Sequence, residues 1–374
     1  MPRALLLCEY PALNGGEHSL LAVLPTLQKA GWEFDAWCPG VGPLAEAFAP
    51  IGVRVVAQQP IMDRETSLEQ RRADLAGVIA AGPSYDLVHA NSLSMGRLSG
   101  PVVAAAGVPS IAHLRDIIGL NRATITDLNR HTRLLAVSDA ARKHHIAQGL
   151  AAEKCEVLYN GVDSELFRPM HRSGYLHRDL GIERYCRIIG VVGQIILRKG
   201  IDTALAAMLR RIARWDDEHI VVVGARHSEK PETIEYERSL HDIVASVGLT
   251  SRVHFLGTRD DMPRLLRELS LLVHAARQEP LGRVLLETAA CAVPIVATDV
   301  GGTREIFPRA ELDGAFLVPV DDVDALESRI NHVLDDDAVE LQTASSGRER
   351  ITAAFSVERS AAGLLRHYAD VSGR

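Results

Sequence analysis

LSLLVHAA at residues 269–276, followed by EPLGRVLLE at residues 279–287, is the stretch around which the chain is organised. The first segment is a compact apolar run of the length of a buried strand. Pro280 and Gly282 break it, and Val284, Leu285 and Leu286 open an apolar helix. Glu279 then falls in the loop at the strand's end, and Glu287 falls about one and a half turns into the helix. A helix start offers unpaired N–H groups and a partial positive charge, which suit a phosphate. Gly282 would let the backbone come close to an anion. A carboxylate ahead of that point could hold sugar hydroxyls, and one further along the helix could hold a ribose diol. Two surface glutamates beside an ordinary strand–helix junction would read the same locally, so the rest of the chain decides.

Outward from this stretch, the pattern is strand, helix, strand, helix. On the C-terminal side come VPIVATD, GGTREIF, AFLVPV and a helix over 323–334; on the N-terminal side, CRIIGVVGQ, a helix over 201–215, HIVVVGA, a helix over 234–247, RVHFLG and a helix over 262–269. The first half repeats the alternation: a strand over 4–9, a helix ending at Gly31, EFDAWC, a helix through 44–48, VRVVA, a polar loop near 60–66, a helix over 68–81, DLVHAN, a helix over 96–106, a strand over 109–114, RLLAVS, the helix AARKHHIAQG, and CEVLYNGVD. Near-continuous apolar strands alternating with helices call for parallel sheets covered on both faces. Between about 166 and 184 the alternation lapses (FRPMHRSGYLHRDLGIERY), which reads as a linker. FSVERSAAGLLRHYADV closes the chain as an amphipathic helix. The expected architecture is α/β, with two similar parallel domains facing each other across a cleft, and ligands at the carboxyl ends of the strands.

At 374 residues, 47% of them hydrophobic and 24% charged, the chain is too long for one typical core. A net charge of -7 points away from bulk nucleic-acid binding. The five cysteines, Cys8, Cys38, Cys155, Cys186 and Cys291, are scattered without metal-ligand spacing and read as buried thiols in a reducing compartment. The opening apolar run is too short for a signal peptide or a membrane span, so a cytoplasmic protein is expected, with peripheral membrane contact left open.

Several strand ends carry polar or glycine-rich residues. Gly15-Gly16 could bring backbone to a ligand or could be a plain turn. Arg198-Lys199-Gly200 could hold a diphosphate or be solvated. His113 could orient a sugar or be a structural histidine bonded to backbone. Arg115-Asp116 reads as an ion pair, Asn160-Gly161 as a turn, and Gly301-Gly302-Thr303 as a helix start that could line a nucleotide pocket. Arg142, Lys143, His144 and His145 read as a solvated basic face.

Taken together, NGGEHSLL, AHLRD, AVSDAARK, VLYNGVDSELFRP, VVGQIILRKGID, RVHFLGTRDDMPRLL and above all EPLGRVLLETAACAVPIVATDVGGTREI resemble the retaining nucleotide-sugar glycosyltransferases of family 4, with the GT-B fold. The resemblance covers nearly the whole chain. It implies an N-terminal acceptor-binding Rossmann-like domain over 1–168, to which a closing helix near 356–374 returns, and a C-terminal nucleotide-sugar-binding domain over 185–355. It implies that Glu287 holds the ribose and Glu279 the donor sugar. Lys199, with Arg198, would stabilise the diphosphate, the amides around Leu281 and Gly282 would meet the phosphates, and Leu256 and Gly257 would lie near the base. Gly16 and His113 would close over diphosphate and sugar, with His113, Lys199 and Glu279 as the catalytic set. Gln194 stands where the family often has Arg, and Arg198 could replace that charge. No metal or cofactor is implied. The co-substrate is a nucleoside diphosphate sugar, a uridine sugar favoured over a guanosine sugar. The acceptor is open among a lipid-linked glycan, a small metabolite and a protein. The other readings are an epimerase or another sugar enzyme on the same architecture, and a non-catalytic nucleotide-sugar-binding subunit.

Overall fold

The computed structural model describes residues 1–58 and 66–374, so the polar loop expected near 60–66 lies, apart from Thr66, outside the described residues. The chain forms two units, one of residues Met1–Gly161 with Val357–Arg374, the other of residues Val162–Ser356.

The first unit holds a seven-stranded parallel sheet. Its strands are β1 (Arg3–Leu7), β2 (Glu33–Pro39), β3 (Arg54–Gln58), β4 (Leu87–Ala90), β5 (Ser110–Leu114), β6 (Arg133–Ala136) and β7 (Cys155–Val157), in the order β3-β2-β1-β4-β5-β6-β7. Strands β1, β4 and β5 are buried almost throughout, as a sheet covered on both faces requires. The order reverses between β1 and β4. Chain leaving the carboxyl ends of these two strands therefore parts to opposite faces of the sheet and opens a crevice. Gly15-Gly16 follows β1 and Asn91-Ser92 follows β4. The helix Gly15–Lys29 buries Leu20, Val23, Leu24 and Leu27. The closing helix Val357–Ser372 packs in the same core through Ala361, Leu364 and Tyr368. Tyr368 is fully buried and meets Trp32 edge-on at 4.8 Å.

The second unit holds six parallel strands, β8 (Arg187–Val192), β9 (Glu218–Val223), β10 (Val253–Gly257), β11 (Leu271–His274), β12 (Ile295–Thr298) and β13 (Ala315–Val318), in the order β10-β9-β8-β11-β12-β13. Here the reversal lies between β8 and β11. The turn carrying Arg198-Lys199 and the loop carrying Glu279 leave those two strands. No helix among the described residues is long and apolar enough to cross a membrane.

Three features depart from the sequence pattern. The stretch expected as a linker over 166–184 is docked on the second unit. Buried Glu268 accepts the Ser173 amide at 2.8 Å, the Ser173 hydroxyl at 2.7 Å and the Gly174 amide at 3.1 Å, and a short helix, Tyr175–Leu180, follows. The Tyr175 hydroxyl donates to Asp261 at 2.8 Å. Two helices were not anticipated. Arg122–Leu128 is short and polar, and starts on an Asn121 side-chain cap. Asp337–Ala354 buries Thr343, Ala344, Gly347 and Ile351. Its contact face is made of small residues, with Gly347 against the backbone of Gly314, so hydropathy carries little trace of it.

Candidate active site

In the second unit, Glu279 follows β11 and is buried. One of its oxygens, Oε2, accepts from the Lys199 ammonium at 2.5 Å and lies 2.9 Å from His274 Nε2. Burial pushes this carboxyl up, but the Lys199 charge and the His274 hydrogen bond outweigh it and hold Glu279 well below the usual carboxylate range. Burial pushes His274 down, more than Glu279 restores, so the ring is neutral and donates its Nε2 proton to the carboxylate. The pairing is built by backbone staples. The Arg198 carbonyl accepts the Arg277 amide at 2.8 Å, and the Arg277 guanidinium reaches the Leu197 carbonyl at 2.8 Å and Asp202 at 2.7 Å. The turn Leu197–Lys199 is thereby fixed to the exit of β11.

From below, Gly301-Gly302 braces the Glu279 loop. The Gly302 amide donates to the Glu279 carbonyl at 3.0 Å. A Cβ on Gly301 would stand 2.0 Å from that same carbonyl oxygen, so backbone touches backbone here and only glycine fits. Thr303 beyond them is fully buried.

Gly282, at φ +102°, caps the helix Arg283–Ala290 with backbone alone. Leu281 beside it is buried. Glu287 is buried on the helix's second turn, and its Oε1 accepts Arg283 Nε at 3.0 Å, with a second, closer contact from the same guanidinium. Arg283 thus stands at the first position of a helix whose dipole disfavours a cation there. Gln194 is half-buried after Gly193, and Arg198 is half-buried on the next turn. Leu256 and Gly257 end β10, where the Gly257 carbonyl accepts the Gly224 amide at 2.8 Å.

In the first unit, His113 on β5 is buried, with its Nδ1 at 2.9 Å from His89 Nε2 and 3.0 Å from an Arg115 nitrogen. Arg115 also donates to the Asn91 carbonyl at 2.9 Å, to Asn91 Oδ1 at 2.7 Å and to Asn160 Oδ1 at 2.9 Å. Gly16 lies over the Arg115 side chain, where a Cβ would come to 3.0 Å of it. His113, Arg115, Ser19, Asn160 and Ser360 line a small cavity. The basic cluster on the helix Asp139–Ala147 is not a plain solvated face: His145 is fully buried with Nε2 on the Asp116 carbonyl at 2.7 Å, and Arg142 binds the Cys155 carbonyl at 2.7 Å. All five cysteines are buried, and none is in a disulfide among the described residues.

Sequence reasoning missed His274, Arg283 and His89; Asn91 stood among the polar residues at strand ends, but its pairing with Arg115 was not foreseen. His274 carried a signal, a lone histidine closing an apolar strand five residues before Glu279. The others pair across strands or along one helix turn, and no short motif marks them.

Residues 13–166 match the model of "Glycosyltransferase Family 4", and residues 186–336 match that of "Glycosyl transferases group 1". The lipopolysaccharide core biosynthesis mannosyltransferase LpsB of Rhizobium meliloti is 27% identical over 57% of this chain, which spans 60% of that relative's length. A D-inositol 3-phosphate glycosyltransferase of Salinispora arenicola is 27% identical over 88% of this chain and 80% of its own. Among solved structures, Anabaena HepE in complex with UDP and glucose superposes with a TM-score of 0.85 at 23% identity, over 99% of this chain and 100% of that one.

Proposed function

Because the chain belongs to the family 4 and group 1 glycosyltransferases and has their GT-B fold, we propose that it moves a hexose or N-acetylhexosamine from a uridine diphosphate sugar to an acceptor in glycoconjugate biosynthesis. The observation that carries this reading is the Lys199–Glu279–His274 cluster next to the bare helix start at Gly282. A cation and the first backbone amides of a helix at a strand switch point suit a departing diphosphate. Enzymes of this family retain the anomeric configuration and need no metal, so the negative charge that grows on the leaving group falls to the protein's own groups.

In this reading Lys199 neutralises the developing charge. Glu279, kept ionised, holds donor-sugar hydroxyls and tethers the Lys199 ammonium. Glu287 takes the ribose diol once Arg283 turns away from it. Arg198 replaces the charge that Gln194 lacks, a contact worth about 1.5–3 kcal/mol. Leu256 and Gly257 border the base, and the amides at Leu281 and Gly282 meet the phosphates. In the first unit, Gly16 and His113 contact substrate. Departure and attack on one face of the sugar give retention without a covalent intermediate. Uridine is favoured because HepE was solved with UDP and with UDP-glucose. The relatives named above point to a lipid-linked or inositol-like acceptor class. The unbridged cysteines suit a reducing compartment, and we place the enzyme in the cytoplasm, at or near a membrane surface.

The test is turnover with uridine and guanosine diphosphate hexoses and N-acetylhexosamines, with and without candidate acceptors, following nucleotide release and the product anomer by NMR. The expected result is acceptor-dependent release of UDP and a retained product anomer. Conversion of a donor alone would make the protein an epimerase, and binding without turnover would make it a non-catalytic subunit.

A further inference from the structure

Arg115 is the hub of the polar cluster in the first unit, and its contacts have a direction. A guanidinium only donates. The Asn91 side-chain atom facing it is therefore the amide oxygen, and the His113 Nδ1 facing it is therefore an acceptor. Two consequences follow. Asn91 must turn its Nδ2 group away from Arg115. This nitrogen is buried, has no hydrogen-bond partner among the described residues, and lies 3.6 Å from where a Cβ would stand on Gly16, the second residue of the helix Gly15–Lys29. His113, with Nδ1 occupied as an acceptor, carries its proton on Nε2. The order continues outward: His89 Nε2 must donate to His113 Nδ1, which leaves His89 Nδ1 to accept from the Tyr368 hydroxyl at 2.7 Å. The closing helix is thus hydrogen-bonded into the same directed chain.

We propose that Arg115 is a positioning residue for the transfer reaction: its guanidinium fixes the amide orientation of Asn91 and the tautomer of His113, so that two neutral donors, Asn91 Nδ2–H and His113 Nε2–H, are presented to phosphate or sugar oxygens of the bound donor. An orphaned buried N–H group is rare in a folded protein and costs stability, which is offset when a ligand oxygen accepts from it. This inference rests on the glycosyltransferase reading for its substrate, but its first test needs no substrate.

That test is the side-chain nitrogen NMR spectrum of the full-length protein with ¹⁵N-labelled histidine, His113 being assigned by comparison with His113→Ala. The expected spectrum shows His113 as the neutral tautomer with the proton on Nε2. A proton on Nδ1 overturns the proposal, whatever the enzyme turns over. The second test is a double-mutant cycle on donor-dependent turnover. Arg115→Lys keeps the charge but loses the fork, and it should lower kcat about 10–100-fold. In the His113→Ala background it should cost several-fold less than in the wild type, because one of the two groups it positions is gone and only Asn91 remains. Asn91→Asp, which replaces the donating nitrogen by an acceptor, should raise the KM for the donor at least tenfold. Full multiplication of the Arg115 and His113 effects would contradict the positioning role, as would an unchanged donor KM in Asn91→Asp. If Arg115→Lys does not fold, the wild-type spectrum and the Asn91 variant still decide. Absence of turnover with every nucleotide sugar, alongside the expected tautomer, would remove the glycosyltransferase reading of the substrate and leave the Arg115 arrangement standing.

Discussion

At the scale of single residues, the proposed chemistry depends on charge held where water is scarce. Glu279 and Lys199 have side chains only 7% and 13% exposed, so each is the other's main compensation. Glu279→Gln keeps the shape but strands the ammonium. It should cost on the order of 3 kcal/mol in urea unfolding and lower turnover at least a hundredfold. A variant with wild-type stability would show that the pair is solvated after all. The depressed carboxyl also sets a pH window. Its contribution is fully present above the ordinary glutamate range near 4.5 and is lost as pH falls below it. Histidines act earlier. Burial, aided by Arg115, lowers His89 to about 3, and burial lowers His131 to about 4. The unfolded chain protonates both near 6.5 while the folded chain does not, so their effect is to remove stability as pH falls below 6.5. At pH 5 each should cost about 2 kcal/mol. Denaturant unfolding at pH 7 and pH 5 measures this, and equal stabilities at the two pH values would contradict it.

At the scale of elements, the candidate site is made by loops braced from behind. Gly301→Ala would drive a methyl into the Glu279 carbonyl, at a backbone φ of +54° that alanine also disfavours. It should cost about 2–4 kcal/mol and abolish most turnover, even though Gly301 bears no reactive group. Wild-type kcat in that variant would mean the loop tolerates movement. Glu268 fixes a different element, the segment before β8. Glu268→Ala should free residues 166–184 for protease cleavage and lower stability by about 3 kcal/mol. Unchanged cleavage would show that the segment is held by its other contacts. These elements differ in how far the sequence reveals them. The strands and the helix after Gly282 were legible because apolar runs and glycine breaks record burial directly. The docked segment was not, because Glu268 lies about ninety-five residues from the amides it binds. The helix Asp337–Ala354 packs through Gly347 and Ala344, small residues that make contact without hydrophobic contrast.

At the scale of the molecule, one sheet plan is used twice. In each unit the strand order reverses once, and in each the candidate residues leave the two strands at the reversal: Gly16 and Asn91 after β1 and β4, Lys199 and Glu279 after β8 and β11. The sequence located those residues because glycines and carboxylates interrupt apolar strands there. It could not show their pairing, since Arg283 on Glu287 and His274 on Glu279 are matters of side-chain direction. The central claim is that the second unit binds a uridine diphosphate sugar through Glu287 and Lys199. It is tested most directly by thermal unfolding against a panel of nucleotides and nucleotide sugars, with Lys199→Ala and Glu287→Ala alongside. At a hundred times its dissociation constant a ligand adds about 2.7 kcal/mol. Such binding should give a clear upward shift with UDP and one UDP-sugar in the wild type, lost in both variants. A shift that survives in both variants, or no shift with any nucleotide, would contradict it.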